Sequence, residues 1–265
     1  MEITLSVIFT LLGIAVGSFL NVCIDRLPAG GSLVSPPSCC DRCRHRLSPR
    51  DLIPVFSYLW LRGRCRYCGA PIPLRSPLVE LLSGLLFFLA FHRYGLSAEF
   101  AVTAFYCSIF VIIIFTDLEH HLILNKVTYP AAIAALIILA VDFFLPRPGL
   151  FGESLFWPEP KILSGLIGGA AGFIFFLIPL LIYPAGMGAG DVKMGGLIGL
   201  VTGFPMVLVA LFIGIVCGGL SAIFLLAFKL KSRKDPIPYG PFLALGPIVT
   251  LLYGTHILEW YLGLF

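Results

Sequence analysis

Residues 98–117, AEFAVTAFYCSIFVIIIFTD, decide the fold. From 98 to 116 the stretch carries one charge, Glu99, and it then reaches Asp117. A helix needs about 20 mainly apolar residues to cross the hydrocarbon core of a bilayer, and this run has that length. Comparable runs occupy 3–23, 77–92, 127–145, 162–183, 192–204, 205–228 and 241–262. The chain of 265 residues is 58% hydrophobic and 12% charged, with a mean hydropathy of +0.99. A soluble domain of this size cannot hide so much apolar surface. The expectation is an all-α polytopic membrane protein with about eight transmembrane helices and a small cytoplasmic zinc-binding loop domain. The sixth run is short and is interrupted by Gly195, Gly196, Gly199 and Gly203. The first lacks a basic leader and a small-residue cleavage site, so it is expected to stay as a helix.

Basic residues set the orientation. On an eight-span topology, all Lys and Arg except Arg93, Arg147 and Lys161 fall on one side. The positive-inside rule puts the larger set in the cytoplasm and both termini outside. Three regions follow: a first transmembrane helix over 1–23, a cytoplasmic cysteine domain over 24–76, and a membrane-embedded domain over 77–265. The net charge of +4 lies between apolar runs, as topology requires, and implies no nucleic-acid partner.

Four of the eight cysteines form a pattern, Cys40-Asp-Arg-Cys43 and Cys65-Arg-Tyr-Cys68. Two residues between the thiols of each pair let both point at one ion, and two such knuckles supply the four soft ligands of tetrahedral zinc. Paired disulfides or free thiols are the alternatives, and a cytoplasmic location argues against disulfides. Four thiolates leave no open position, so the zinc would be structural. Gly69 suits the tight turn after the second knuckle. Cys39 is a spare beside Cys40, while Cys23, Cys107 and Cys217 lie in apolar runs and read as packing residues.

An ionisable group at membrane depth is a functional candidate, because its desolvation is costly. Asp117 closes one apolar helix, and Asp191 follows Gly188-Ala189-Gly190 to open another. The topology places both at the cytoplasmic face. Adjacent carboxyl groups share a proton, so one activates water while the other polarises a carbonyl. Glycines before Asp191 let an extended peptide approach closely. Taken singly, Asp117 reads equally as an interfacial helix end and Asp191 as a helix N-cap. Glu80, inside the second run, is a third buried candidate. His120 and His121 read as solvated residues.

In order along the chain, Gly17-Ser-Phe-Leu-Asn-Val-Cys-Ile-Asp-Arg-Leu-Pro28, the two cysteine knuckles, Pro77-Leu-Val-Glu-Leu-Leu82, Thr116-Asp-Leu-Glu-His120, Gly188-Ala-Gly-Asp-Val-Lys193 and Pro238-Tyr-Gly-Pro-Phe-Leu-Ala-Leu-Gly246 resemble the type IV prepilin peptidases. These are bifunctional leader peptidases and N-methyltransferases of the GxGD aspartyl membrane protease class. The resemblance spans nearly the whole chain. It implies that Asp117 and Asp191 are the catalytic aspartates, with Gly188, Gly190 and Lys193 shaping the site. It implies zinc at Cys40, Cys43, Cys65 and Cys68, and cleavage of the basic leader of type IV prepilins and pseudopilins after a glycine. It further implies methylation of the new N-terminus with S-adenosylmethionine as methyl donor. The expected location is the bacterial cytoplasmic (inner) membrane, with lipid bilayer and prepilin as partners and the active site facing the cytoplasm.

The chain departs from the family at Ile123-Leu124-Asn125, where an aliphatic-Pro-Asp triplet is usual. No Rossmann-type glycine motif marks a nucleotide site. Asn21, Arg26, Arg75 and Glu80 are candidates for binding S-adenosylmethionine by position alone. Three other readings stand beside the leading one: a peptidase without transferase activity, a non-catalytic scaffold of a pilus or secretion machine, and a proton-coupled transporter. The transporter would bring inverted repeats and a midplane site, and the sequence has neither.

Overall fold

The computed structural model describes residues 2–144, 161–184, 187–230 and 238–264. Among these the secondary structure is helical, with two isolated β-bridges and no strands. The helices are α1 (Glu2–Arg26), α2 (Phe56–Trp60), α3 (Arg75–Tyr94), α4 (Ala98–His120), α5 (Asn125–Phe144), α6 (Lys161–Ile182), α7 (Ala189–Thr202), α8 (Met206–Ala227) and α9 (Gly240–Leu262). A 3-10 turn covers Pro49–Leu52. Arg147 and the basic residues of 231–234, used above for orientation, lie outside the described residues.

Among the described residues, seven helices are long and apolar enough to cross a membrane: α1, α3, α4, α5, α6, α8 and α9. The protein is therefore a multi-pass membrane protein. α7, the sixth expected span, has 14 residues, about 21 Å of helix against a hydrocarbon core of about 30 Å. Its glycines make it an interior element. A Cβ added at Gly172 would lie 2.9 Å from the Gly195 carbonyl carbon, and one at Gly168 would lie 2.7 Å from that of Gly203. Ser164 Oγ donates to the Phe204 carbonyl at 2.8 Å. The pairing order, 164 with 204 and 172 with 195, makes α6 and α7 antiparallel. Small residues at such a seam let two backbones touch where lipid offers no hydrophobic drive to pack.

The chain divides into two compact units, Met1–Leu96 and Ser97–Phe265. In the first, α1 packs antiparallel on α3: Gly13 meets Phe87 and Ser83, and Gly17 meets Glu80. The polar segment between them carries the cysteines. In the second, α8 and α9 run antiparallel, with Gly246 against Ala210 and Gly218 against Tyr239. α9 also packs along α4. Many large apolar side chains on the outward helix faces are exposed, Phe212, Leu220 and Ile223 among them. They form the surface a bilayer would cover.

Candidate functional site

Two sites emerge, one in each unit. In the first unit, the cysteine segment is built from two copies of one backbone device. Cys40 N–H donates to the His45 carbonyl at 3.0 Å and Arg44 N–H to the Cys40 carbonyl at 2.8 Å. Cys65 N–H donates to the Ala70 carbonyl at 2.8 Å and Gly69 N–H to the Cys65 carbonyl at 2.9 Å. Each copy is closed by a β-bridge, Cys39 with Arg46 and Arg64 with Pro71. Each also needs positive φ after its second cysteine, 58° at Arg44 and 70° at Gly69. The sequence marks that turn only where it is glycine. The Sγ atoms of Cys40, Cys43, Cys65 and Cys68 all lie within 4.8 Å of one another, with Cys40 and Cys68 at 3.8 Å. A tetrahedron with Zn–S of about 2.3 Å has edges of about 3.8 Å, so the four thiols fit one zinc ion. Main-chain N–H groups of Cys43 and Arg42 hold the Cys40 thiol down at about 6, while its neighbour Cys68 is pushed up to about 11, the Ala70 N–H being outweighed by burial and the adjoining thiols, so Cys40 ionises first. All eight cysteines are free.

Asp51 fastens the segment. It accepts from Arg66 Nε at 2.6 Å, Ser48 Oγ at 2.8 Å and the Tyr67 hydroxyl at 3.1 Å. Burial alone would raise its carboxyl, but these hydrogen bonds outweigh burial and hold it at about 2.

In the second unit, Asp117 and Asp191 are near enough for their charges to interact. Asp117 does not end its helix. α4 runs on to His120 and stops at His121 in the left-handed conformation. Asp117 is 6% exposed, and its Oδ2 accepts the Gly240 N–H at 2.9 Å. Asp191 is not an N-cap. Gly188 holds that position, and Asp191, in the first turn of α7, accepts the Gly188 N–H at 3.3 Å. Gly190 brings this turn against Ile123: a Cβ there would lie 3.0 Å from Ile123 Cβ. Lys193 Nζ donates to Asn125 Oδ1 at 2.9 Å and stands 5.5 Å over the Tyr129 ring. The unusual Asn125 thus ties α5 to the helix bearing Asp191. His120 and His121 are exposed. Tyr239 packs on Phe176 at 6.5 Å between ring centroids and lies in the field of Asp191.

The sequence reading missed Gly240 and Tyr239 as site residues. Their signal was Pro238-Tyr-Gly-Pro241, a helix start with proline just inside it. Of the cofactor candidates, Asn21, Arg75 and Glu80 lie along α1 and α3. Asn21 Nδ2 donates to the Ser76 carbonyl at 3.0 Å, Arg75 pairs with Asp25 at 2.6 Å, and Glu80 accepts from Val55 N–H at 2.6 Å. Arg26 instead reaches the Ser32 carbonyl at 3.0 Å.

Fold and site together define a multi-pass membrane protein with two carboxylates close enough to interact in one unit and four cysteines that could hold a metal ion in the other. Comparison makes the class specific. Residues 11–94 match the bacterial peptidase A24 N-terminal domain, and residues 104–223 match the type IV leader peptidase family. A prepilin leader peptidase/N-methyltransferase of Bacillus subtilis is 33% identical over 258 residues, covering 97% of this chain and 98% of the relative. One from Aeromonas hydrophila is 30% identical over 95% of this chain and 92% of its own length. One from Myxococcus xanthus is 42% identical over 153 residues, 57% of this chain and 45% of the relative. The chain belongs to the type IV leader peptidase family. No solved structure matches it.

Proposed function

We propose that this protein cleaves the basic leader of type IV prepilins and pseudopilins and then methylates the new N-terminal amine. The observation that carries the cleavage half is that Asp117 and Asp191 lie within reach of each other's charge, with one oxygen of each held by a backbone N–H. The two carboxyl groups share one proton. The ionised member takes a proton from water as its oxygen attacks the scissile carbonyl carbon. The protonated member donates to the carbonyl oxygen. The tetrahedral adduct collapses as a proton passes to the leaving nitrogen and the C–N bond breaks. Gly188 and Gly190 shape the turn that carries Asp191, Gly190 by letting it pack on Ile123, and Lys193 ties α7 to α5 through Asn125.

The methyltransferase half rests on the relatives that span the chain, which are prepilin leader peptidase/N-methyltransferases. S-adenosylmethionine supplies a methyl group on a sulfonium, which a neutral amine can attack. Cys40, Cys43, Cys65 and Cys68 hold a structural zinc, since four thiolates complete its shell. The excess of Lys and Arg on one side of the eight-span topology supports a bacterial inner membrane with both sites facing the cytoplasm; α7, though short, runs antiparallel to α6 and so keeps that parity.

The test is cleavage of a prepilin peptide by purified protein, with Asp117→Asn and Asp191→Asn alongside. Each single change is expected to abolish cleavage. Retention of cleavage in either variant overturns the paired-carboxylate reading.

A further inference from the structure

The seam between α1 and α3 holds two buried polar groups that packing does not explain. Glu80 is 7% exposed. Its partners among the described residues are neutral donors, the Val55 N–H and the Ser18 hydroxyl. A carboxylate offers about four acceptor positions, and buried charges are ordinarily paired with an opposite charge. Arg75, one turn away on α3, is engaged with Asp25. One turn along α1 from Ser18 stands Asn21, which is 8% exposed. Its Nδ2 donates to the Ser76 carbonyl, which fixes the amide, because exchanging N and O would set two acceptors face to face. Asn21 Oδ1 is therefore a true acceptor, and it is buried with no partner. Buried polar atoms are rarely left so.

The backbone at Val55 adds an independent observation. Val55 has φ 62° and ψ −49°, and Phe56 N–H donates to the Pro54 carbonyl at 2.6 Å across it. This is a γ-turn of the rare positive-φ kind, centred on a β-branched residue that disfavours it. The strained turn delivers its central N–H to Glu80. Strain of this sort persists where surrounding structure holds it and gathers at functional sites.

We propose that Glu80 and Asn21 form a binding site for a primary ammonium group, resting on the methyltransferase reading above. Glu80 is an anionic acceptor met by neutral donors among the described residues, Asn21 is an open neutral acceptor, and the nearby Arg75 is paired with Asp25; the two acceptors match a group that is cationic and only donates. An ammonium has three N–H donors and no acceptor. Methyl transfer brings two such groups to the protein: the new N-terminus of the cleaved chain, and the methionyl ammonium of S-adenosylmethionine.

The experiment uses full-length protein in lipid nanodiscs, as wild type, Glu80→Gln and Asn21→Leu. Dissociation constants are measured by equilibrium dialysis for S-adenosylmethionine and for a cleaved-pilin peptide with a free N-terminus. Each is paired with an amine-blocked form. One free-amine ligand is expected to bind at least tenfold more weakly to both variants, while its blocked form binds all three proteins alike. The ligand affected identifies the source of the ammonium. Constants within twofold of wild type for both ligands overturn the proposal, as does equal weakening of a blocked form. Zinc content and the thermal unfolding midpoint report whether each variant is folded. If Glu80→Gln is not, Asn21→Leu decides by the same criteria. Wild-type protein that binds neither ligand and methylates no cleaved peptide refutes the transferase reading, and the ammonium site with it.

Discussion

Gly240 and Asp117 are matched at one oxygen: the Gly240 N–H donates to Asp117 Oδ2 at 2.9 Å, and a Cβ at position 240 would lie 2.7 Å from the same atom. Glycine is required here by space, because φ is not positive at this position. A hydrogen bond to a charged group contributes about 1.5–3 kcal/mol. Gly240→Ala is therefore expected to lower kcat/KM for a prepilin peptide by roughly tenfold to a hundredfold. Zinc content should stay at the wild-type level. Activity within a factor of two of wild type would show that Asp117 does not depend on this contact.

The α6–α7 seam predicts a contrast between two glycines. Gly195 faces the Gly172 carbonyl carbon, and a Cβ there would lie 2.5 Å from the Phe176 ring. Gly219 in α8 has nothing within 4 Å of an added Cβ. Overpacking a tight interior costs about 1–3 kcal/mol, whereas Ala replaces Gly in a helix with a gain of up to about 1 kcal/mol. Gly195→Val is expected to lower the thermal midpoint in detergent by several degrees, and Gly219→Ala to hold or raise it. Equal midpoints for the two would contradict the close backbone contact.

Asp51 gives the cysteine segment an acid limit. Its carboxyl is held at about 2 against an ordinary 3.8. A depressed carboxylate stabilises the fold above its unfolded value and loses that contribution as pH falls toward its folded value. Limited proteolysis of the 27–74 segment should distinguish wild type from Asp51→Asn fully between pH 5 and 7. The difference should shrink below about pH 4. A difference that grows on acidification would reverse the assigned sign.

Asn125 and Lys193 join α5 to α7 by a single neutral-acceptor hydrogen bond. A charged acceptor roughly doubles the strength of such a bond. Asn125→Asp is expected to raise the thermal midpoint and Asn125→Ala to lower it. In the background of Lys193→Met, the two substitutions should become indistinguishable. Persistence of the difference in that background would place Asn125's contribution elsewhere.

Much of this was legible in the sequence because the governing signals are local. Seven long apolar runs report their own length, and a two-residue gap between cysteines marks the four thiols that cluster closely enough to hold one ion. The placing of Asp117 and Asp191 at one end followed from charge bookkeeping across the spans. What escaped has a common cause: it depends on partners distant in sequence. The short α7 was hard to read because its glycines weaken hydropathy, yet those glycines are its interface with α6. Gly240 lies far along the chain from the carboxylate it serves. Arg44 adopts the turn that glycine adopts in the second knuckle, and only the repeated hydrogen bonds reveal it. Val55 carries no sequence mark of its strained turn.

The close backbone contact along α6 and α7 bears on how the two carboxylates are carried. Asp191 is mounted on a helical hairpin whose arms touch main chain to main chain at Gly168 with Gly199 and at Gly172 with Gly195. Asp117 is pinned to the first residue of α9. Each carboxylate thus belongs to its own pair of helices, α6 and α7 for Asp191 and α4 and α9 for Asp117, and the register of each pair sets the height of its carboxylate along the bundle.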